Sequence, residues 1–497
     1  MSVSPNNSQT PLSDRLSRLS ARARFGTFAG LGGLGALAHP PVGLPILTIA
    51  ALLALFWLRP WTLAPRAAAW AGWAFGLGHF AVTLHWLVEP FLVDIARHGW
   101  MAPFAIALMA GGLALFWGAA FWVGAWRRSG LVLAVAMAAA EFARAHVFTG
   151  FPWGMHVTAF VDVQLYQGAS WLGPHGLTAA LYLIVALSVR MWATLAMGGA
   201  ALAVLSVAPV APAPQGDGPI VRVVQPNAEQ HLKRVPEQAP IFLNRQLEAT
   251  AALPGAELVI WPEVALTTWL ENASGIFEEA ARRGQGAAVL IGAQSYRDGK
   301  VFNALAHVDE AGQMASRYDK AHLVPFGEYM PLGELFSRMG IYGLAAGDGY
   351  GFAAGDGGVI FNVEGVGPVL PLICYESIFA HDVRRLDFRP RMIAVVTNDA
   401  WFGQLGGPAQ HLQHAQARAI ELGLPVARSA NTGISAIIDA KGRIVASLGL
   451  GETGHVDARL PAPLPPTLYA LTGDLGLLGL AIMVLLSHVA LRRFDLD

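Results

Sequence analysis

Residues 369–379 read VLPLICYESIF, an apolar run that stops abruptly at Cys374, Tyr375 and Glu376. A buried strand breaking into a polar turn presents its next side chain at the strand's carboxyl end, where open α/β sheets place their reactive groups. Cys374 is the only cysteine among 497 residues, so it has no intramolecular disulfide partner. Such a thiol is either a small buried hydrophobe or a nucleophile, and its surroundings decide which.

Outward from this stretch, residues 218–460 alternate short β-rich runs with helix-like stretches. Strands are predicted at Ile220–Val224, Leu258–Trp261, Ala288–Ile291, Phe302–His307, Val359–Val363, Val369–Ile373, Ile393–Thr397 and Ser435–Ile438. Helices are predicted at Ile241–Ala252, Gly275–Arg283 and Ala409–Leu422. The alternation implies a layered α/β domain of about 240 residues, enough for its own core. The linker Ala211-Pro212-Ala213-Pro214 separates it from what precedes.

The chain as a whole is 54% hydrophobic and only 13% charged, against about 25% in an ordinary soluble protein, which indicates a membrane class. A net charge of −1 excludes the basic footprint of a nucleic-acid binder. A polar tail, 1–24, precedes apolar stretches at 25–39, 42–58, 67–88, 101–124, 130–148, 172–189 and 191–209, most of them of membrane-spanning length. With the N-terminus inside, Arg59, Arg66, Arg127, Arg128 and Arg190 fall in cytoplasmic loops, and only Arg97 and Arg144 fall outside. Seven spans over 25–210 place the domain at 218–462 outside, and an eighth within 472–492 returns the chain inward, ending in Arg492 and Arg493. Ala36-Leu37-Ala38 leaves open a second reading of the first segment as a cleaved signal peptide. Glu141 and Arg144, three residues apart, read as a structural ion pair, and Trp86, Glu89, Asp94 and the turn Gly150-Phe151-Pro152-Trp153 as anchors at the outer interface.

Two further polar residues follow apolar runs. Glu263 closes LVIWPEVA, where Pro262 shapes the turn. Lys320 lies in RYDKAHLVPFGEYMP, among aromatic and apolar neighbours where a charge needs a reason. Of the other three lysines, Lys300 and Lys441 read as solvated hairpin turns and Lys233 as an exposed residue of a polar stretch. A thiol with an ordinary pKa near 8.5 needs a base or a nearby cation, and acyl transfer needs a donor for the developing oxyanion; a carboxylate and an ammonium supply both.

These segments, WPE, YDKxHLVPFGEYMP, CYE and TNDAWFG, resemble the nitrilase (carbon–nitrogen hydrolase) superfamily with its Glu-Lys-Cys triad. The flanking spans, GFPW at 150–153 and the LVPFGEYMP form of the lysine segment narrow the resemblance to the bacterial apolipoprotein N-acyltransferase family. The resemblance implies a membrane all-α bundle of about eight helices joined to an extracytoplasmic nitrilase-like αββα sandwich, in the bacterial inner membrane. It implies Glu263 as general base, Lys320 as oxyanion stabiliser and Cys374 as nucleophile, supported by Glu328, Tyr375 and Glu376. The reaction implied is transfer of an acyl chain from a phospholipid such as phosphatidylethanolamine, through a thioester, to the α-amine of a diacylglyceryl-cysteine on an apolipoprotein. No cofactor is implied.

Trp401 and Phe402 are candidate pocket residues, and the glycine-rich loop between Pro331 and Phe352 is a candidate lid carrying Leu335, Phe336, Met339 and Tyr342. The pair His411-x-x-His414 lacks a third ligand at a useful spacing, so no metal is expected. Two rival readings remain: a membrane-tethered amidase releasing its acyl group to water, and a transporter or sensor, which would need ionisable groups at mid-span.

Overall fold

The computed structural model describes residues 16, 18–190, 204–214, 216–233, 235–331, 351–383, 389–477 and 479. The expected spans at 191–209 and 475–491 and the lid residues Leu335, Phe336, Met339 and Tyr342 fall wholly or largely outside them.

Each apolar stretch up to residue 190 forms a helix: α1 Ala21–Ala36, α2 Ile46–Trp57, α3 Pro65–Thr83, α4 Ala102–Trp126, α5 Gly130–His146 and α6 Ala169–Arg190. Among the described residues, two helical stretches are long and apolar enough to cross a membrane, Ile95–Trp126 and Gln164–Val189. Helix α2 has 12 residues, bracketed by Pro45 and Pro60, and at 1.5 Å per residue it falls short of a hydrocarbon core about 30 Å thick. Small residues let the helices approach closely: a Cβ on Gly32 of α1 would lie 1.9 Å from the carbonyl oxygen of Phe75 on α3.

Beyond the linker stand two six-stranded sheets. The first runs in the order β12-β1-β2-β3-β4-β5, with β1 Ile220–Gln225, β2 Leu258–Ile260, β3 Ala288–Arg297, β4 Lys300–Val308, β5 Met314–Asp319 and β12 Gly454–Arg459. The second runs β11-β10-β9-β8-β7-β6, with β6 Phe361–Val363, β7 Gly367–Ile373, β8 Met392–Thr397, β9 Val426–Ala430, β10 Ser435–Ile438 and β11 Ile444–Leu448. Strands β1, β2 and β3 are parallel, as are β7, β8 and β9.

The two-residue period of a strand sorts the side chains into layers. Leu258 and Ile260 of β2 meet Val369, Ile373, Met392, Ala394 and Val396 of the second sheet between the sheets. The alternate residue Val259 faces outward onto α7 (Ala239–Thr250) and α8 (Ser274–Gly284). Leu370, Leu372, Ile393 and Val395 face α9 (Gly407–Leu422) on the other side. The four layers are the αββα sandwich expected, and burial on both faces explains why its central strands read as unbroken apolar runs.

The helical part and the sandwich are joined through buried polar contacts. Arg144 pairs with Glu141 at 2.6 Å and also donates to the carbonyls of Phe151 and Trp153, so the ion pair holds the GFPW turn. Trp86 and Trp153 are buried, not interfacial anchors as expected. Their rings lie 4.5 Å apart, and each lies against Phe402 of the sandwich, at 4.9 and 5.6 Å. On α9, Arg418 and Glu421 pair at 2.6 Å, and Tyr166 of the helical part donates to the same carboxylate at 2.7 Å.

Candidate functional site

Glu263, Lys320 and Cys374 follow the carboxyl ends of β2, β5 and β7, and the sandwich brings them together under cover. Their residues are 6%, 1% and 6% exposed. Gly292 on β3 lets the Glu263 loop lie flat, because a Cβ there would sit 2.2 Å from the Pro262 carbonyl oxygen. Cys374 opens a short 3-10 turn with φ of +53°, a left-handed conformation that costs a side-chain-bearing residue about 1–3 kcal/mol and clusters at functional sites.

Lys320 Nζ lies 2.9 Å from Glu328 Oε1 and 3.7 Å from Glu263 Oε1. Burial works against its charge, but the two carboxylates and the neighbouring Cys374 outweigh it and hold the ammonium well above the ordinary lysine value. Burial, reinforced by Glu263 and opposed by Lys320 and Thr397, pushes the Cys374 thiol up. The resting sulfur is therefore a thiol beside a carboxylate, a pairing that can make a nucleophile once the carboxylate takes the proton.

Residues the sequence reading did not single out complete the shell. Asn303 on β4 donates to Glu263 Oε1 at 2.7 Å and to Glu328 Oε1 at 3.1 Å, spacing the two carboxylates. The backbone N–H of Asn398 donates to Glu263 Oε2 at 2.8 Å. Lys233 is buried, contrary to expectation, and donates to the Glu263 carbonyl at 3.3 Å: its polar stretch folds over the site. The asparagines carry a signal only in hindsight, as amides inside or just after strands whose other residues are apolar.

Of the supporting residues, Glu376 ties the cysteine turn to the lysine segment. Its carboxylate accepts from Tyr318 Oη at 2.6 Å, Ala321 N at 2.8 Å, His322 N at 3.1 Å and Ile373 N at 2.7 Å. Glu328 is fixed by Val324 N at 2.8 Å, and its carbonyl accepts from Phe352 N at 2.8 Å, where the chain returns from the candidate lid. Tyr375 donates from its hydroxyl to the Gly150 carbonyl at 3.3 Å, so the residue after the thiol touches the helical part. Phe402 packs at the junction and Trp401 is half-buried beside it. Among the described residues there is no cluster of three or more His, Cys, Asp or Glu able to hold a metal.

Both halves of this arrangement have counterparts in known proteins. The family model described as apolipoprotein N-acyltransferase N-terminal domain matches residues 31–187, and that described as carbon-nitrogen hydrolase matches residues 215–464. The apolipoprotein N-acyltransferase of Rhodopseudomonas palustris is 36% identical, over 93% of this chain and 94% of its own. The protein of the same name from Caulobacter vibrioides is 38% identical, over 94% and 93%. The similarity thus runs continuously from the helices that hold the GFPW turn through the sandwich that gathers Glu263, Lys320 and Cys374, and the chain belongs to the apolipoprotein N-acyltransferase family.

Proposed function

We propose that the chain N-acylates lipoproteins by a two-step exchange at Cys374. Glu263 takes the thiol proton as the sulfur attacks the ester carbonyl of a phospholipid, phosphatidylethanolamine being our first choice. The Lys320 ammonium, with the backbone N–H of Tyr375, stabilises the oxyanion. Collapse breaks the ester C–O bond, Glu263 returns its proton to the leaving glycerol oxygen, and lysophospholipid departs from the thioester. The α-amine of a diacylglyceryl-cysteine then attacks the thioester carbonyl, its proton passes through Glu263 to the departing sulfur, and an amide and free Cys374 result.

The observation that carries this reading is the convergence of one acid and one amine on the lone thiol, at the seam where the Tyr375 hydroxyl meets the Gly150 carbonyl of the helical part. A site on that seam can meet two lipid substrates without extracting either from the bilayer. In this reading the helical part belongs to an inner-membrane bundle of about eight apolar segments, of which α2 is too short to cross alone. The 1–24 tail is cytoplasmic and the sandwich periplasmic, as the arginine distribution favours.

Intact-mass measurement of the protein purified from membranes tests it. One acyl chain on Cys374 is expected, discharged onto an added diacylglyceryl peptide. Transfer that persists in Cys374→Ala would defeat the reading, and release of free fatty acid without peptide acylation would replace it with hydrolysis.

A further inference from the structure

His411 is fully buried on α9 and lies between the nucleophile's backbone and a buried carboxylate. Its Nδ1 is 2.9 Å from Asp399 Oδ1, and its Nε2 is 3.2 Å from the carbonyl oxygen of Cys374 and 3.1 Å from Ser377 Oγ. Ser377 donates its own hydrogen to the Cys374 carbonyl at 2.9 Å, so it offers Nε2 a lone pair. Asp399 also accepts from Thr397 Oγ1 at 2.9 Å and from Arg428 Nη2 at 2.7 Å. Although burial opposes ionisation, Arg428 and His411 hold this carboxyl below the ordinary range, so it is acceptor only. Nε2 therefore faces two oxygens able to accept its hydrogen, while Nδ1 lies between the Asp399 carboxylate and the Arg428 guanidinium, 3.1 Å from Nη2.

We propose that His411 is a positioning residue for the acyl transfer: an imidazole, braced by Asp399, whose Nε2–H grips the Cys374 carbonyl and holds the left-handed turn that aims the thiol. The role rests on Cys374 being the nucleophile. The groups facing the ring are accounted for from every side. Asp399 and Arg428 Nη2, the latter 3.1 Å from Nδ1, come from the sheet end, and Cys374 and Ser377 from the cysteine turn. Trp153 stacks at 5.6 Å and Phe402 meets the ring edge-on at 5.1 Å. His414, further along the same helix, is held well below the ordinary histidine value by burial, with Arg418 and His411 adding to it. The same Asp399 oxygen accepts from Thr397 Oγ1 at the carboxyl end of β8, which fixes the brace to the second sheet.

The test is single-turnover acylation of the full-length protein by phospholipid, followed by intact mass, with thermal melts to establish folding. His411→Phe keeps the ring packing but removes both hydrogen bonds. Its acylation rate at saturating lipid is expected to fall about 30-fold, with half-saturating lipid unchanged. His411→Gln, which restores a donor toward the Cys374 carbonyl, should recover most of that loss. Asp399→Asn weakens the brace, so its acylation rate at saturating lipid should fall about tenfold, with half-saturating lipid unchanged. If His411→Phe acylates at the wild-type rate, or His411→Gln is no better than His411→Phe in folded protein, the role is overturned. If folded Asp399→Asn acylates at the wild-type rate, the brace is overturned. A Cys374→Ala protein that still transfers acyl groups instead removes the nucleophile assignment on which the role rests.

Discussion

Two buried ion clusters, one in each half of the molecule, use similar side chains to different ends. In the helical part, Arg144 meets one carboxylate, Glu141, and two backbone carbonyls. Trp117 donates to that carboxylate at 2.6 Å. The pair is balanced in charge, and the chain is held in one place. In the sandwich, Lys320 faces two carboxylates, Glu328 and Glu263, and a thiol stands beside them. One cation for two anions leaves an excess of negative charge ready to accept a proton. Balanced charge serves structure; an unbalanced cluster beside a nucleophile can drive chemistry.

The largest effects should separate these roles. Lys320→Met leaves two carboxylates buried without their cation, so both readouts are expected to drop: stability by about 3–5 kcal/mol and acyl transfer by about 10³-fold. Glu263→Gln removes the proposed base and keeps the volume, so transfer should fall about 10²- to 10⁴-fold with little change in melting temperature. Arg144→Met should do the reverse. It is expected to lose about 3–5 kcal/mol in a detergent melt, with transfer below the melting range within about tenfold of wild type. An Arg144→Met protein that melts normally but cannot transfer would erase the contrast.

The thiol itself sharpens it. Because Cys374 is the only cysteine, a small alkylating reagent reads that group alone. Burial and then Glu263 raise the thiol while Lys320 lowers it. Alkylation of the lipid-free protein should therefore keep climbing with pH past the ordinary thiol range near 8.5, without levelling. Glu263→Gln takes away a raising charge, so the climb should shift to lower pH. The variant would thus alkylate faster at pH 8 and transfer more slowly, opposite signs that a merely unfolded site would not produce. A curve shifted to higher pH would contradict the placement of that carboxylate.

The same contrast explains how far the sequence could be read. Glu263, Lys320 and Cys374 each interrupt apolar surroundings, so the physical oddity of the residue marked it. Asn303 and Asn398 left no such mark: an amide and a backbone N–H become visible only when strands far apart in sequence close on Glu263. Lys233 misled for the converse reason, since local polarity hid a tertiary contact. Strand β5, MASRYD, lacks clean alternation because it is an edge strand whose early residues face solvent. Strand β9, VARSA, carries Arg428 and Ser429, whose buried partners lie on other elements, Asp399 in one case and the Val224 carbonyl in the other. The helices were legible in outline, yet α2 is shorter than its apolar run because prolines flank it.

A medium effect should come from the brace between the Cys374 turn and the Lys320 segment. Glu376→Gln puts an amide where four donors converge, so one N–H must face another. A loss of about 1–3 kcal/mol is expected, with transfer reduced about tenfold through displacement of the Lys320 segment. A full-length crystal structure of the variant with both loops unmoved would refute the brace.

The smallest effect belongs to the seam itself. Tyr375→Phe deletes only the hydroxyl that reaches the Gly150 carbonyl, at a long 3.3 Å. The ring stays packed edge-on against Phe379 at 5.0 Å and against His322 at 5.6 Å, and the backbone N–H proposed for the oxyanion is untouched. Stability should change by less than about 1 kcal/mol and transfer by less than about threefold. Gly150→Ala on the other side of the same contact should cost more, because the residue has φ of +72° and a Cβ would lie 2.2 Å from the Ala145 carbonyl oxygen. If the phenylalanine variant proved the more damaging in a transfer assay, the hydroxyl would belong to the reacting centre, and the seam would be a wall of the active site instead of its support.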